Sequence, residues 1–258
     1  MSGLPSGARD AAPNGGEHPG DRGQAGRAGS ARREQARRWR DRATPQGSLS
    51  RKRSGGPDPW SPLAPLYDLQ LRLEKAALSS LASALEIHPE DRLLDVGTGT
   101  AGMLRTVAAL PNRPAHAVGV DRSRRMLDQA PPLPDGWSLL QADATDLPLP
   151  DRSFDRASAA YLLHWLEPPE RGRVLAELGR VLEPGGLLGV ITISPPRVST
   201  ERVVRMPLEF AADRFGGVLG GLRSLDPSAE IEAAGFRLRR RTRTGRGYPS
   251  LCVVAERL

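Results

Sequence analysis

The residues of this 258-residue chain that could do chemistry are three carboxylates and one glycine turn. Asp95 stands two places before Gly97 in the stretch LLDVGTGTAGML (93–104), which also holds Gly99 and Gly102. Asp121 closes the apolar run AHAVGVD (115–121), and Asp143 closes WSLLQAD (137–143). Glycines lack a Cβ, so a turn built on them takes otherwise costly φ/ψ values and brings backbone close to a ligand. A carboxylate at the carboxyl end of a strand faces the crevice where open α/β sheets bind ligands. There Asp95 would repel a pyrophosphate and hold a cationic group. Asp121 suits a ribose, because a carboxylate accepts hydrogen bonds from both hydroxyls of a diol, each worth about 1.5–3 kcal/mol.

The elements around these residues follow a regular alternation. Recurring leucines over 63–85 predict one or two helices ahead of the first strand. The apolar run at Leu93, a turn, and helical spacing at Met103, Leu104, Val107 and Leu110 give strand, glycine turn and helix, the opening of a nucleotide-binding α/β domain. Strands are expected at 115–121, 137–143, 154–161 and 187–193, with helical sequence at 122–130 and an amphipathic helix at 170–182. Glu183-Pro184-Gly185-Gly186 stops that helix. A short helix over 227–234 then leads into two strands, 236–243 and 248–255, which close the sheet as a hairpin. In strand 236–243, Arg237, Arg239, Arg241 and Arg243 alternate, predicting one basic face, a solvated edge with RNA-backbone contact as the alternative. The segment 195–225 breaks the alternation with Pro195-Pro196, an apolar patch and a glycine-rich piece, and reads as a lid over an acceptor pocket.

Gly97-x-Gly99-x-x-Gly102 matches the dinucleotide fingerprint, and alone it leaves a nicotinamide oxidoreductase open, since such an enzyme would also use Asp121. The surrounding motifs favour another family. Asp95-x-Gly97-x-Gly99 resembles motif I of the class I S-adenosylmethionine-dependent methyltransferases, departing from it at the third glycine, where Ala101 stands and Gly102 comes one place late. GVDRSRRML (119–127), the loop LPLPDRSFD (147–155), the stop Pro184-Gly185-Gly186 and AAGF (233–236) resemble the same family. Tyr67-Asp68 is similar to the Tyr-Asp ahead of motif I in its ubiquinone and menaquinone biosynthesis branch. The resemblance, over 65–258, implies a Rossmann-like seven-stranded, mostly parallel α/β sheet with helices on both faces and a C-terminal antiparallel hairpin. It implies S-adenosylmethionine as cofactor and methyl transfer to a small-molecule acceptor by in-line displacement. The expected cofactor-binding residues are Asp95, Gly97, Thr98 and Gly99 for the methionine end, Asp121 for the ribose, Asp143 and Ala144 for the adenine, and also Arg122 and Tyr161. No catalytic residue stands out. His164 in LLHWL could act as base or orient a substrate, and Tyr67 could fold over the cofactor; for each, a structural role in the core is the alternative.

Composition sets the outer bounds. The formal charge is +7, and residues 1–53 carry that whole excess, so the rest is neutral overall. Residues 1–59 are Gly, Pro, Ala, Ser and Arg with few large apolar side chains, too little to offset ordering entropy, and are expected to be a disordered basic tail ahead of a methyltransferase domain at 60–258. An RNA- or membrane-surface arm is the alternative for the tail; an RNA-directed methyltransferase or a cofactor-binding protein without turnover would use it. The single cysteine, Cys252, excludes a disulfide within the chain and a Cys-based zinc site, and reads as a buried thiol. No metal site is expected. Neither a spanning apolar run nor a signal-peptide core occurs, so a cytoplasmic location is expected.

Overall fold

In the computed structural model, Arg92–Val96 (β1), His116–Asp121 (β2), Trp137–Gln141 (β3), Phe154–Ala160 (β4), Leu182–Ile193 (β5), Phe236–Thr244 (β6) and Ser250–Arg257 (β7) form one sheet. Its order is β3-β2-β1-β4-β5-β7-β6. The helices are Ala64–Ala84 (α1), Gly102–Ala108 (α2), Arg124–Asp128 (α3), Pro168–Val181 (α4) and Ser228–Ala233 (α5). The structure describes residues 64–195, 223–244 and 249–258, with side chains from residue 74 onward. The basic tail, the side chain of Tyr67, residues 196–222 of the expected lid and Tyr248 lie outside the described residues.

Strands β3, β2, β1, β4 and β5 run parallel, and β7 pairs antiparallel with both β5 and β6. This is the expected α/β architecture with its C-terminal hairpin. Parallel strands covered on both faces read as unbroken apolar runs, and Leu93, Leu94 and Val96 of β1 are fully buried. On one face α1 packs against α2, β5 and β7. Leu78, Leu81 and Leu85 of that layer meet Met103, Leu104, Ile191 and Cys252 in one apolar cluster. Cys252 is the buried thiol the sequence predicts, and burial pushes it up to about 11. On the other side, α4 packs against β5 and α5. Among the described residues no helix is long and apolar enough to cross a membrane.

Two elements differ from the sequence expectation. Strand β5 begins at Leu182 rather than at residue 187: Phe154 pairs with Leu182 and Arg156 with Leu187, so Glu183–Gly186 form an excursion within the strand. The helix therefore ends at Val181, before the Pro-Gly-Gly run expected to stop it, because Leu182 is already extended and paired in the sheet. In β6 the arginines do not share one face. The pairing with β7 shifts between Leu238 and Arg240, a β-bulge that reverses the alternation downstream. Arg237 and Arg239 both bind Glu256, Arg241 binds Asp226, and Arg243 donates to Ser194 Oγ and the Pro195 carbonyl. The basic face is broken by geometry and largely matched by carboxylates.

Candidate functional site

Because β1, β2 and β3 are adjacent and parallel, their carboxyl ends form one rim, and the chain segments bearing the three acids meet there. The glycine turn is stapled to the tip of β2: the N–H groups of Gly97 and Thr98 both donate to the Val120 carbonyl, at 2.8 and 3.0 Å. Gly97 takes φ 71° and Gly99 φ 56°, left-handed values that suit glycine. A Cβ on Gly97 would also lie 3.0 Å from the Leu162 side chain. Ala101, at the family's third glycine position, takes φ 64° as the N-cap of α2. An alanine there costs about 1–2 kcal/mol in strain. Its methyl is fully buried, which returns about 0.8 kcal/mol. The departure from the motif keeps the motif's backbone.

Asp121, half-buried, braces the turn: Oδ2 accepts the Gly99 N–H and Oδ1 the Ser123 N–H, both at 2.8 Å. Ser123 in turn caps α3 by accepting from Met126 N–H. Arg122 is exposed, and its carbonyl accepts from Gln141 Nε2. Asp143 lies two residues past the end of β3, in an exposed turn where Oδ1 accepts both the N–H and the hydroxyl of Thr145 at 2.9 and 2.8 Å. The Thr145 N–H holds the Asp143 carboxyl below the usual carboxylate range. Ala144 is half-buried beside it.

Asp95 differs from the sequence expectation of an open, crevice-facing acid. It is 1 % exposed, with Oδ2 accepting the Thr98 hydroxyl and Oδ1 the Ser158 hydroxyl of β4, both at 2.7 Å. Burial pushes its carboxyl up to about 6 against these two bonds, and Asp121 adds to the rise. Above about pH 6 Asp95 thus carries a buried negative charge beneath the glycine turn, held by two hydroxyls.

The next strand end contributes aromatic groups. Tyr161, directly after β4, takes φ 56°, a strained value for a non-glycine residue. Its N–H donates to the Ile191 carbonyl, and its phenol shares a 2.6 Å hydrogen bond with Ser250 Oγ at the start of β7. His164 sits in the 3-10 turn Leu163–Trp165, edge-on to Tyr161. It is buried, and burial pushes its imidazole down to about 4, so it is neutral at physiological pH.

Buried polar atoms are hydrogen-bonded as a rule, so exceptions mark places to look for a ligand. Among the described residues four buried side-chain atoms lack a partner, and three of them, Thr100 Oγ1, His164 Nδ1 and Thr244 Oγ1, lie at the carboxyl-end rim. Thr100, inside the glycine turn, and Thr244, at the end of β6, escape sequence reasoning, because no spacing distinguishes an unpaired hydroxyl from a paired one. No group of His, Cys, Asp and Glu suited to a metal occurs among the described residues.

A protein-family model described as a methyltransferase domain matches residues 93–186, the stretch that carries all three acids. Malonyl-[acyl-carrier protein] O-methyltransferase of Methylococcus capsulatus is 32 % identical over 201 residues, 74 % of this chain and 70 % of that protein. Demethylmenaquinone methyltransferase of Thermus thermophilus is 33 % identical over 211 residues, covering 70 % of this chain and 92 % of that protein. The corresponding enzyme of Chlamydia trachomatis is 38 % identical over 144 residues, and the chain spans 59 % of its length. In fold, a SAM-dependent methyltransferase from Aquifex aeolicus superposes with a TM-score of 0.55 at 20 % identity, over 78 % of this chain and 99 % of that one.

Proposed function

The chain belongs to the S-adenosylmethionine-dependent methyltransferase family, and we propose that it methylates a small-molecule acceptor at the rim where β1–β5 end. The observation that carries this is the convergence of the glycine turn, Asp121 and Asp143 on one rim that also holds three of the four buried, unpartnered polar atoms. The residues fit the cofactor. The buried charge of Asp95 matches a cationic amino acid end, and the oxygens of Asp121, fixed by two backbone N–H groups, match a ribose diol. Asp143, held ionised by Thr145, matches an exocyclic amine, with the Ala144 N–H beside it. Arg122, exposed at the tip of β2, borders the ribose position. Tyr161 closes the rim on the acceptor side.

When bound, S-adenosylmethionine supplies an electrophilic methyl group, so the hard chemistry belongs to the cofactor. The chain's part is placement: a nucleophile held in line with that methyl gains most of its acceleration from effective molarity. The neutral imidazole of His164 is a weak base, and its unpartnered Nδ1 offers the rim one polar atom for a ligand. The choice of a small-molecule acceptor rests on the relative named for demethylmenaquinone; the malonyl group in the other relative's name is a small acyl unit carried on a protein.

Calorimetric titration with S-adenosylmethionine, S-adenosylhomocysteine and NADH tests the reading. Micromolar binding of the first two with none of the third is expected, and NADH binding alone would overturn it. A second result is expected of Thr100→Val. Removing a buried, unpaired hydroxyl stabilises the ligand-free chain by about 1 kcal/mol, while the cofactor loses a hydrogen-bond partner and binds about fivefold more weakly. Urea midpoints and calorimetry read the two effects separately, and a variant with unchanged cofactor affinity would remove Thr100 from the site.

A further inference from the structure

Residues 142–153 connect β3 to β4 without joining the sheet, so their backbone groups need other partners. The last turns of α4 supply them. Arg180 Nε and Nη2 grip Glu177 Oε1 and Oε2 at 2.8 and 2.7 Å. The same guanidinium donates to the Leu147 carbonyl at 2.9 Å, the Leu149 carbonyl at 2.8 Å and Asp151 Oδ1 at 2.7 Å. Glu177 Oε2 also accepts the Leu147 N–H at 2.7 Å. Downstream, the Arg152 and Ser153 N–H groups donate to the carbonyls of Arg180 and Val181. Leu147 is thus held at both its N–H and its carbonyl by one ion pair.

Leu147 is also the first residue past the Asp143 turn, which the Asp146 N–H closes on the Asp143 carbonyl at 3.2 Å. Arg173 of α4 also acts on Asp143 through its charge, while Arg180 and Glu177 hold Leu147 by direct hydrogen bonds. We infer that Arg180 and Glu177 are positioning residues for cofactor base recognition: through Leu147 they set where the Asp143 carboxylate meets the adenine. The inference rests on the assignment of Asp143 made above. A planar fork is required, because a lysine ammonium cannot hold a carboxylate side-on and two carbonyls at once.

The test reads the base itself. An exocyclic amine donates to Asp143, whereas the oxo group of hypoxanthine meets the same carboxylate with a lone pair. The wild-type chain is therefore expected to bind S-adenosylhomocysteine at least about tenfold more tightly than S-inosylhomocysteine, the scale of one lost charge-assisted bond. Arg180→Met should reduce that ratio to within about threefold, and Arg180→Lys, which keeps the charge and folds more readily, should reduce it partly. Arg237→Ala, at a surface pair on β6, should leave it unchanged. A purely structural Arg180 would lower the melting temperature of both variants and weaken both ligands alike, leaving the ratio at its wild-type value; that result in a folded Arg180→Lys overturns the inference. A wild-type chain that binds neither ligand overturns the methyltransferase reading beneath it. One that binds both equally overturns the Asp143 assignment, and the inference with it.

Discussion

Asp121→Ala lowers S-adenosylmethionine affinity by at least about a hundredfold while the chain stays folded. Two charge-assisted bonds to a ribose diol are together worth about 3 kcal/mol at the low end, and each 1.4 kcal/mol is a factor of ten. The same substitution removes the acceptor for Gly99 N–H, so the glycine turn loses its brace to β2 as well. Asp121→Asn fares little better despite its shape. Both carboxylate oxygens accept backbone N–H groups, and an amide must turn its own N–H₂ toward one of them. Far-UV circular dichroism should stay near wild type, since Asp121 is half-buried at a strand tip and outside the apolar core. Calorimetry on the alanine and asparagine variants checks this, and an affinity within twofold of wild type for either would remove Asp121 from the ribose site.

The sequence carried the sheet because its parallel strands are covered on both faces and so read as apolar runs with acids at their ends. The same signal located Asp121, half-buried at the end of β2, and Asp143, exposed two residues past β3, each visible as a change from apolar to charged residues. Contacts between distant residues were not visible. The bond from Ser158 to Asp95 spans 63 residues, and those from Arg180 to Leu149 and Leu147 span 31 and 33. Asp95 therefore read as an open acid and Arg180 as one polar residue of an amphipathic helix. The bulge at Leu238/Arg240 was hidden for another reason. Alternation assumes one residue per pleat, and a single extra residue exchanges the faces without changing composition. The left-handed Ala101 and Tyr161 are likewise conformations that their residue types argue against.

Asp95→Asn should make the chain more stable and its cofactor binding weaker. An asparagine keeps the shape and can still exchange hydrogen bonds with Thr98 and Ser158, but it carries no charge to bury. Folding holds the Asp95 proton more tightly than the unfolded chain does, so the stability it contributes is full below about 3.8 and lost as pH rises through about 6. His164 has the opposite sign. Its contribution is full above about 6.5 and lost as pH falls through about 4. Each shift corresponds to about 3 kcal/mol, at about 1.4 kcal/mol per unit. Between pH 4 and 6 the two slopes oppose each other in the wild-type chain. In Asp95→Asn the His164 slope stands alone, so acidification from pH 6.5 to 4 destabilises the variant relative to wild type, whereas at pH 7.5 the variant is the more stable by up to about 3 kcal/mol. Urea midpoints of both chains from pH 4 to 8 measure the difference, from which other titrating groups cancel. A difference that does not change with pH would mean that Asp95 is not held against its burial. The affinity loss, expected to be about tenfold or more from removing a buried charge beside a cationic ligand group, completes the case. A carboxylate whose removal stabilises the fold and weakens the ligand is one that the ligand, and not the fold, requires.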